Sequence, residues 1–178
     1  IILSTNRLKN LIFKDKNLDF VPTMGGIHKG HIYLIKKSIT QCKKTVVSIF
    51  INKPQFNKKN DYLSYPRILK KDIKILKSLK IDILFIPRFK QIYPNGTNKN
   101  LKISPLENKL CGKLRPGHFK AVVDVIERFI AIIKPKNIYL GQKDMQQLRI
   151  IEKFFKKNNV RTKVVECKTI REKNGMAY

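Results

Sequence analysis

Two histidines lie close together in a glycine-rich stretch of the chain. His28 and His31 are separated by three positions within segment 22–31, which reads PTMGGIHKGH. Residues i and i+3 at a helix start share one side of the helix, and glycines let a ligand approach the backbone. Free N–H groups at a helix start also favour an anion. The pattern predicts a phosphate site with two titratable donors. A metal site is disfavoured, because the third histidine, His118, is distant and no carboxylate or thiol lies nearby.

Two further polar clusters follow segments that are typical of buried strands. They are 52–56 (NKPQF) and 141–147 (GQKDMQQ). In the second cluster a lysine, a carboxylate and an amide suit a phosphate, a ribose hydroxyl and a polar substrate, although turn formation and helix capping are alternative explanations. Because ligands of open α/β sheets bind beyond the carboxyl ends of the strands, we expect all three clusters at one sheet edge.

The elements that position these clusters follow from hydrophobic periodicity. Strands are predicted at 18–22, 45–52, 81–87, 137–141 and 161–167, with an additional edge strand at 101–104. Helices are predicted after 31, over 69–79, over 119–133 and over 145–157. Alternating strands and helices predict one domain over 1–178, of α/β class, with a Rossmann-like, mainly parallel sheet covered by helices on both faces.

Composition excludes several classes of protein. The chain has 178 residues, of which 42% are hydrophobic, too many for a disordered basic tail. No apolar run approaches the roughly 20 residues that span a bilayer, and no secretory signal is expected at the N-terminus. Three widely spaced cysteines, in no metal-ligand pattern, fit a reducing cytoplasm.

The net charge of +27 raises the question of nucleic-acid binding. The chain holds 31 Lys, 25 Ile and 14 Asn but only 8 Arg, a pattern that a biased codon composition explains better than selection for phosphate contacts. The lysines are also spread along the chain. We therefore expect no nucleic-acid partner, and a positive surface that attracts anionic substrates.

Several segments resemble motifs of the pantothenate synthetase (pantoate–β-alanine ligase) family, in order and approximate spacing. They are VPTMGGIHKGH, VSIFINKPQF followed by DYLSYPR, IYPNGT, RPGHF and YLGQKDMQQL. The resemblance runs from about Val21 to Tyr178. An HxGH motif alone indicates only a Rossmann-like nucleotidyltransferase superfamily, whereas RPGHF and GQKDMQQ narrow the resemblance to this family.

The resemblance implies a reaction in two steps. Pantoate attacks the α-phosphorus of ATP, which Mg²⁺ accompanies, and gives pantoyl adenylate and pyrophosphate; β-alanine then displaces AMP. It implies catalytic roles for His31, as proton donor, and for His28 and Lys143. The ATP-binding residues that it implies are Met24, Gly25, Gly26, Ile27, His28, Lys29, Gly30, His31, Gly141, Gln142, Lys143, Asp144, Ile170 and Tyr178. Asp144 is expected at the ribose and the Ile170 backbone at the adenine.

The resemblance also implies a pantoate site and a partner. Gln55 and Gln147 are expected to bind pantoate, Gln55 lying beside the β-alanine position as well. Family members pair through this domain, so a homodimer is expected, with no membrane partner.

The sequence departs from the family pattern in two places. Gln142 stands where the family usually has Glu, and the printed sequence ends before a Ser-Ser-Arg-Asn segment and a small C-terminal lid domain. We therefore expect residues 1–178 to bind substrates but to turn over poorly. Two other functions stay open: another adenylyl-transferring enzyme of the HxGH superfamily, or a basic nucleic-acid-binding module.

Overall fold

A five-stranded parallel sheet forms the centre of the molecule. The computed structural model describes residues 1–15 and 17–178. The strands are β1 Leu18–Thr23, β2 Lys44–Ile49, β3 Ile83–Phe85, β4 Asn137–Gly141 and β5 Lys163–Cys167, in the spatial order β3–β2–β1–β4–β5. In register, Phe20 of β1 pairs with Val46 of β2 on one side and with Ile138 of β4 on the other. The winding direction therefore reverses between β1 and β4, and the predicted Rossmann-like α/β class is confirmed.

Helices cover both faces of this sheet. They are α1 Thr5–Ile12, α2 Lys29–Gln41, α3 Lys59–Ser64, α4 Leu69–Ser78, α5 Phe89–Ile92, α6 Cys111–Leu114, α7 His118–Ile133 and α8 Met145–Lys157, with 3₁₀ turns at Lys53–Gln55, Pro105–Asn108 and Gln142–Asp144. Apolar stripes of α1, α7 and α8 form a core with one sheet face, and those of α2 and α4 form a second core with the other. Both faces are buried, which explains why β2 reads as a nearly continuous apolar run.

Predicted helices with strong periodicity match the structure closely. Helix α8 has the predicted bounds, and α7 begins one residue earlier than expected. The first turn of α7 follows Gly117, whose φ of +77° is a left-handed conformation that glycine adopts without strain. The short helices α1, α3, α5 and α6 were not predicted, because they are too short for a period of 3.6 to be visible.

Strand ends were predicted less well. Within the run 45–52 the strand ends at Ile49. The Phe50 N–H still donates to the Thr23 carbonyl of β1 at 3.0 Å, and the Phe50 side chain stays in the core. The run 81–87 pairs only over Ile83–Phe85, and the last strand begins at Lys163 rather than at position 161.

The predicted edge strand at 101–104 is wrong. That segment has no strand partner; Leu101 is buried in the core, and Ser104 instead caps the following 3₁₀ turn by accepting the Leu106 N–H. The apolar side chains of this segment therefore serve packing rather than sheet pairing. At the β3 edge, the Ile2 N–H donates to the Leu84 carbonyl at 2.8 Å and extends the sheet.

In the described ranges, 1–15 and 17–178, the helices are all too short or too polar to cross a bilayer.

Candidate active site

A cleft of about 360 Å³ opens at the carboxyl ends of β1, β2, β4 and β5. It lies where the winding direction of the sheet reverses, which is the usual ligand site of such folds. The wall formed by α7 and the adjoining strands is apolar, and its residues are Phe50, Val122, Val125, Ile126, Phe129 and Leu140. The rest of the lining is polar and carries cationic side chains from Arg115, Lys143 and Lys168. The cleft therefore suits a ligand with an anionic part and a small apolar part.

The two histidines line this cleft at the start of α2. Their ring centroids are 4.0 Å apart. His28 is the residue that precedes the helix, and its Nδ1 accepts the Gly30 N–H at 3.1 Å. In the neutral His28 ring the proton must then lie on Nε2, which leaves Nε2–H as a donor. The sequence correctly placed the two side chains on the same side of the turn.

Both histidines are held in the neutral form near pH 7. Burial, with smaller contributions from the nearby His28 and Lys143, lowers the pKa of His31 to about 4. Burial and Lys143 also lower the pKa of His28. Without a ligand, these rings therefore act as neutral hydrogen-bond donors, and the positive charge of the rim resides on lysine and arginine.

The backbone N–H groups of the glycine-rich turn are directed away from the cleft. The Gly26 and Ile27 N–H groups donate to the two carboxylate oxygens of Asp72 at 2.9 and 2.8 Å. Asp72 lies on α4 and is 1% exposed. At Gly25, where φ is +84°, an added Cβ would meet the Asp72 carboxylate at 3.0 Å. Asp72 was not predicted as a site residue, because an acidic residue in a charged amphipathic helix carries no local signal of this role.

The predicted pantoate residues meet at the cleft. Gln55, in the turn after β2, has its backbone carbonyl 2.8 Å from His118 Nδ1 and its amide nitrogen 3.1 Å from the Met24 sulfur. Gln147, on the first turns of α8, also lines the cleft. Met24, Gln55 and Gln147 come from three different strand–helix connections, so the sheet edge brings together residues far apart in the sequence.

The segment after β4 contributes the opposite rim. Gly141, Lys143 and Asp144 line the cleft, and Lys143 Nζ lies 2.5 Å from the backbone carbonyl oxygen of Tyr178. Gln142 points elsewhere, since its amide donates to the Glu166 carboxylate. Lys143 is exposed, and its ammonium has three N–H donors, so it can bind an anion at the rim in addition to Tyr178.

The remaining predicted ATP residues lie beside the same opening. Ile170 and Tyr178 line the cleft, and the Tyr178 N–H donates to the Ile170 carbonyl at 3.1 Å. Lys29 Nζ lies 5.1 Å from the centre of the Tyr178 ring on the exterior of the turn. Of the predicted residues, five do not line the cleft: Gly25, Gly26, Ile27, Lys29 and Gln142.

Two buried polar atoms in the described part of the chain lack a hydrogen-bond partner. They are His31 Nδ1 and Ser48 Oγ, and both residues line the cleft. Buried polar groups are nearly always paired in folded proteins, so two unpaired atoms at one cleft indicate a place where a ligand or water completes the contacts. Ser48 was not predicted as a site residue, because it lies inside an apolar strand with no motif around it.

The fold and the cleft define a Rossmann-like α/β domain with a site for an anionic ligand beside an apolar wall. A family model described as pantoate-beta-alanine ligase matches residues 2–178. The chain belongs to the pantoate–β-alanine ligase family.

Relatives and solved structures agree with this membership. The chain is 47% identical over 174 residues to a pantothenate synthetase of Francisella philomiragia, a match covering 96% of this chain and 66% of the relative. The structure resembles pantothenate synthetase of Thermus thermophilus with a TM-score of 0.94 and 32% identity, covering 99% of this chain and 64% of that one. It also resembles pantoate-beta-alanine ligase of Francisella tularensis, complexed with beta-gamma ATP and beta-alanine, with a TM-score of 0.92 and 41% identity, covering 99% of this chain and 69% of that one. The chain spans about two thirds of the length of the curated relatives it matches.

Proposed function

We propose that residues 1–178 form one domain that binds ATP and pantoate in the cleft and catalyses pantoate–β-alanine ligation. In the first step a pantoate carboxylate oxygen bonds to the α-phosphorus of ATP, and the bond to pyrophosphate breaks. In the second step the β-alanine amine attacks the acyl carbon of pantoyl adenylate. AMP leaves with the electrons of the broken bond, and the amine loses a proton, which gives pantothenate. The related Francisella tularensis structure, complexed with beta-gamma ATP and beta-alanine, supports this assignment.

The observation that carries the proposal is the meeting of three distant polar clusters at one cleft. The histidine pair, the Gln55 turn and the segment 141–147 are separated by tens of residues but line the same opening. The apolar wall beside them matches a small branched acid, and the cationic rim matches a triphosphate. An acyl adenylate also needs protection from water, which an apolar wall provides.

Each cleft residue has a proposed role that follows from its chemistry. His31, His28 and Lys143 donate to the phosphates, where negative charge builds as the bond to pyrophosphate breaks. Gln55 and Gln147 bind pantoate through neutral amides. Asp144 is placed to accept from a ribose hydroxyl.

Magnesium belongs to the substrate in this proposal. Within the described ranges, no three or more His, Cys, Asp and Glu side chains are grouped to hold a metal ion. The ion would arrive on the phosphate oxygens of ATP, where it neutralises charge. The residues of the cleft would then bind the ATP–Mg complex without a protein ligand to the ion.

We also propose a homodimer, which the resemblance to the family implies, and a cytoplasmic location. The three cysteines are unpaired, as in a reducing compartment.

Calorimetric titration tests the proposal. Residues 1–178 are expected to bind ATP–Mg and pantoate, and Lys143→Met is expected to weaken ATP about tenfold through loss of a charge-assisted contact. The matched control is Lys136→Met, which removes the same charge from an exposed position at the opposite end of β4. Failure to bind either substrate, or equal losses in the two variants, would refute the site assignment.

Pyrophosphate exchange tests the chemical step. With pantoate present, His31→Ala is expected to lower the exchange rate about 100-fold or more while the circular dichroism spectrum stays unchanged. Exchange at the parent rate would reject the role of His31.

A further inference from the structure

Gln55 is held at the cleft by hydrogen bonds that begin outside it. The Tyr93 hydroxyl donates to Asn52 Oδ1 at 2.8 Å. Asn52 Nδ2 donates to the Ala121 backbone carbonyl at 3.1 Å and to Gln55 Oε1 at 3.2 Å. Asn52 is 1% exposed and Tyr93 is 2% exposed, so water does not substitute for these contacts. Tyr93 itself does not line the cleft.

The donor and acceptor of each of these hydrogen bonds follow from the Ala121 carbonyl oxygen, which can only accept. A backbone carbonyl has no proton, so the Asn52 atom facing Ala121 must be the amide nitrogen. The other Asn52 atom is then the oxygen, and Tyr93 must donate to it. Because the same amide nitrogen faces Gln55, Gln55 offers its oxygen there and keeps its NH₂ group for the Met24 sulfur and the cleft.

We propose that Tyr93 is a positioning residue that acts through Asn52 to fix the orientation of the Gln55 amide. The Gln55 NH₂ group then faces the cleft as a donor to an oxygen of the bound acid. This inference rests on the proposed function for the identity of that acid, but the hydrogen-bond chain exists without a ligand.

Tyr93 is suited to this role because its ring is clamped. It stacks on Phe89 with the ring centroids 4.8 Å apart, and the Arg128 guanidinium lies 4.5 Å from its centre. Arg128 is in turn held by Asp124 at 2.6 Å. Because the ring is held by Phe89 and Arg128, the Tyr93 hydroxyl stays in one place and can hold the buried Asn52 amide in one orientation.

Loss of the hydroxyl would free the Gln55 amide without moving its backbone. Asn52 Oδ1 would be buried without a donor, and the Asn52 side chain would lose one of the contacts that hold it. A less firmly held Asn52 Nδ2 would bind the Gln55 oxygen less well, so the Gln55 NH₂ group would no longer be kept facing the cleft. The Gln55 backbone is held separately by His118 and stays in place.

The test in binding uses Tyr93→Phe, which keeps the ring. Pantoate binding to residues 1–178 is expected to weaken about tenfold by calorimetry. In a Gln55→Ala background, Tyr93→Phe is expected to have no further effect, since there is no amide left to orient. An equal loss in both backgrounds would show a merely structural role and overturn the inference. The control is Thr162→Val, which removes another buried hydroxyl, one donating to Pro135 at 2.7 Å far from the cleft.

A second measurement separates this inference from the proposed function. In the ligand-free chain, the side-chain amide NMR signals of Asn52 and Gln55 are expected to shift in Tyr93→Phe and to stay in place in Thr162→Val. Unchanged signals in Tyr93→Phe would overturn the hydrogen-bond chain. If the parent chain fails to bind pantoate, the proposed function fails, and the amide signals still decide the role of Tyr93.

Discussion

Acidification should destabilise this protein through His31. Burial, with help from His28 and Lys143, lowers the His31 pKa from an ordinary 6.5 to about 4. As the pH falls, the unfolded chain therefore binds a proton before the folded chain does. The stability that the neutral ring contributes is complete above pH 6.5 and is lost as the pH falls toward 4.

The size of this effect follows from the two pKa values. Between pH 7.5 and 4.5 the linkage relation gives a loss of about 2–3 kcal/mol in the free energy of unfolding from His31 alone. That is a large share of the roughly 5–15 kcal/mol that stabilises a typical domain.

Urea unfolding of the parent and of His31→Gln at pH 7.5 and at pH 4.5 measures this loss of stability. Glutamine is polar but stays neutral, so the variant should lose about 2–3 kcal/mol less than the parent over this pH range. His118, whose pKa is also lowered by burial, titrates in both proteins and cancels in the difference, and the coupling of His28 to His31 is the smaller part of the His31 shift. Identical pH dependence in the two proteins would refute the assignment of a buried neutral ring to His31.

Three further outcomes follow from the contacts. Asp72→Ala should lower the free energy of unfolding by about 3 kcal/mol in urea titration, because two backbone N–H groups lose a charged acceptor; a change below about 0.5 kcal/mol would contradict this. Gly112→Ala should lower the free energy of unfolding by about 3 kcal/mol, since the new Cβ would clash with the Glu107 carbonyl oxygen, and an unchanged urea midpoint would contradict that contact. Tyr139→Phe should lower the thermal midpoint by several degrees, because its hydroxyl donates to the buried Asp19 carboxylate at 2.5 Å, and an unchanged midpoint would show that the bond contributes nothing.

The sheet and the location of the cleft were predictable from the sequence, because both depend on patterns that repeat. The β-branched run that became β2 and the 3.6-residue stripe of α7 each span enough residues to identify the element. Three polar clusters directly after three strands then predict a shared edge, and the cleft lies there. Strand ends were less predictable, because apolar residues such as Phe50 continue past the last paired position.

The support of the site was not predictable, because it depends on contacts between residues far apart in the chain. Asp72 meets the glycine-rich turn across 45 and 46 residues, and Tyr93 meets Asn52 across 41. The Tyr-Pro-Asn-Gly segment, which begins with Tyr93, predicts a turn of the backbone but does not predict where the Tyr93 hydroxyl lies. No local pattern connects either side chain to the cleft.

Under the proposed function, the contacts of Asp72 limit which groups can bind the phosphates of ATP. In a phosphate-binding glycine-rich loop, backbone N–H groups normally contact the anion. Here the Asp72 carboxylate, from α4, accepts hydrogen bonds from the Gly26 and Ile27 N–H groups, so a side chain of the protein already occupies two of these donors. We therefore expect the proposed triphosphate contacts to come mainly from side chains, with His28, His31 and Lys143 among them. Because the two histidines are neutral until an anion raises their pKa, bound ATP should recruit a proton, and its affinity should increase as the pH falls below neutrality. Calorimetry in buffers of different ionisation enthalpy would measure this proton uptake. The titration is best done at about pH 5.5, within the range in which histidines titrate. An uptake of zero protons would show that the phosphates bind away from the histidine pair.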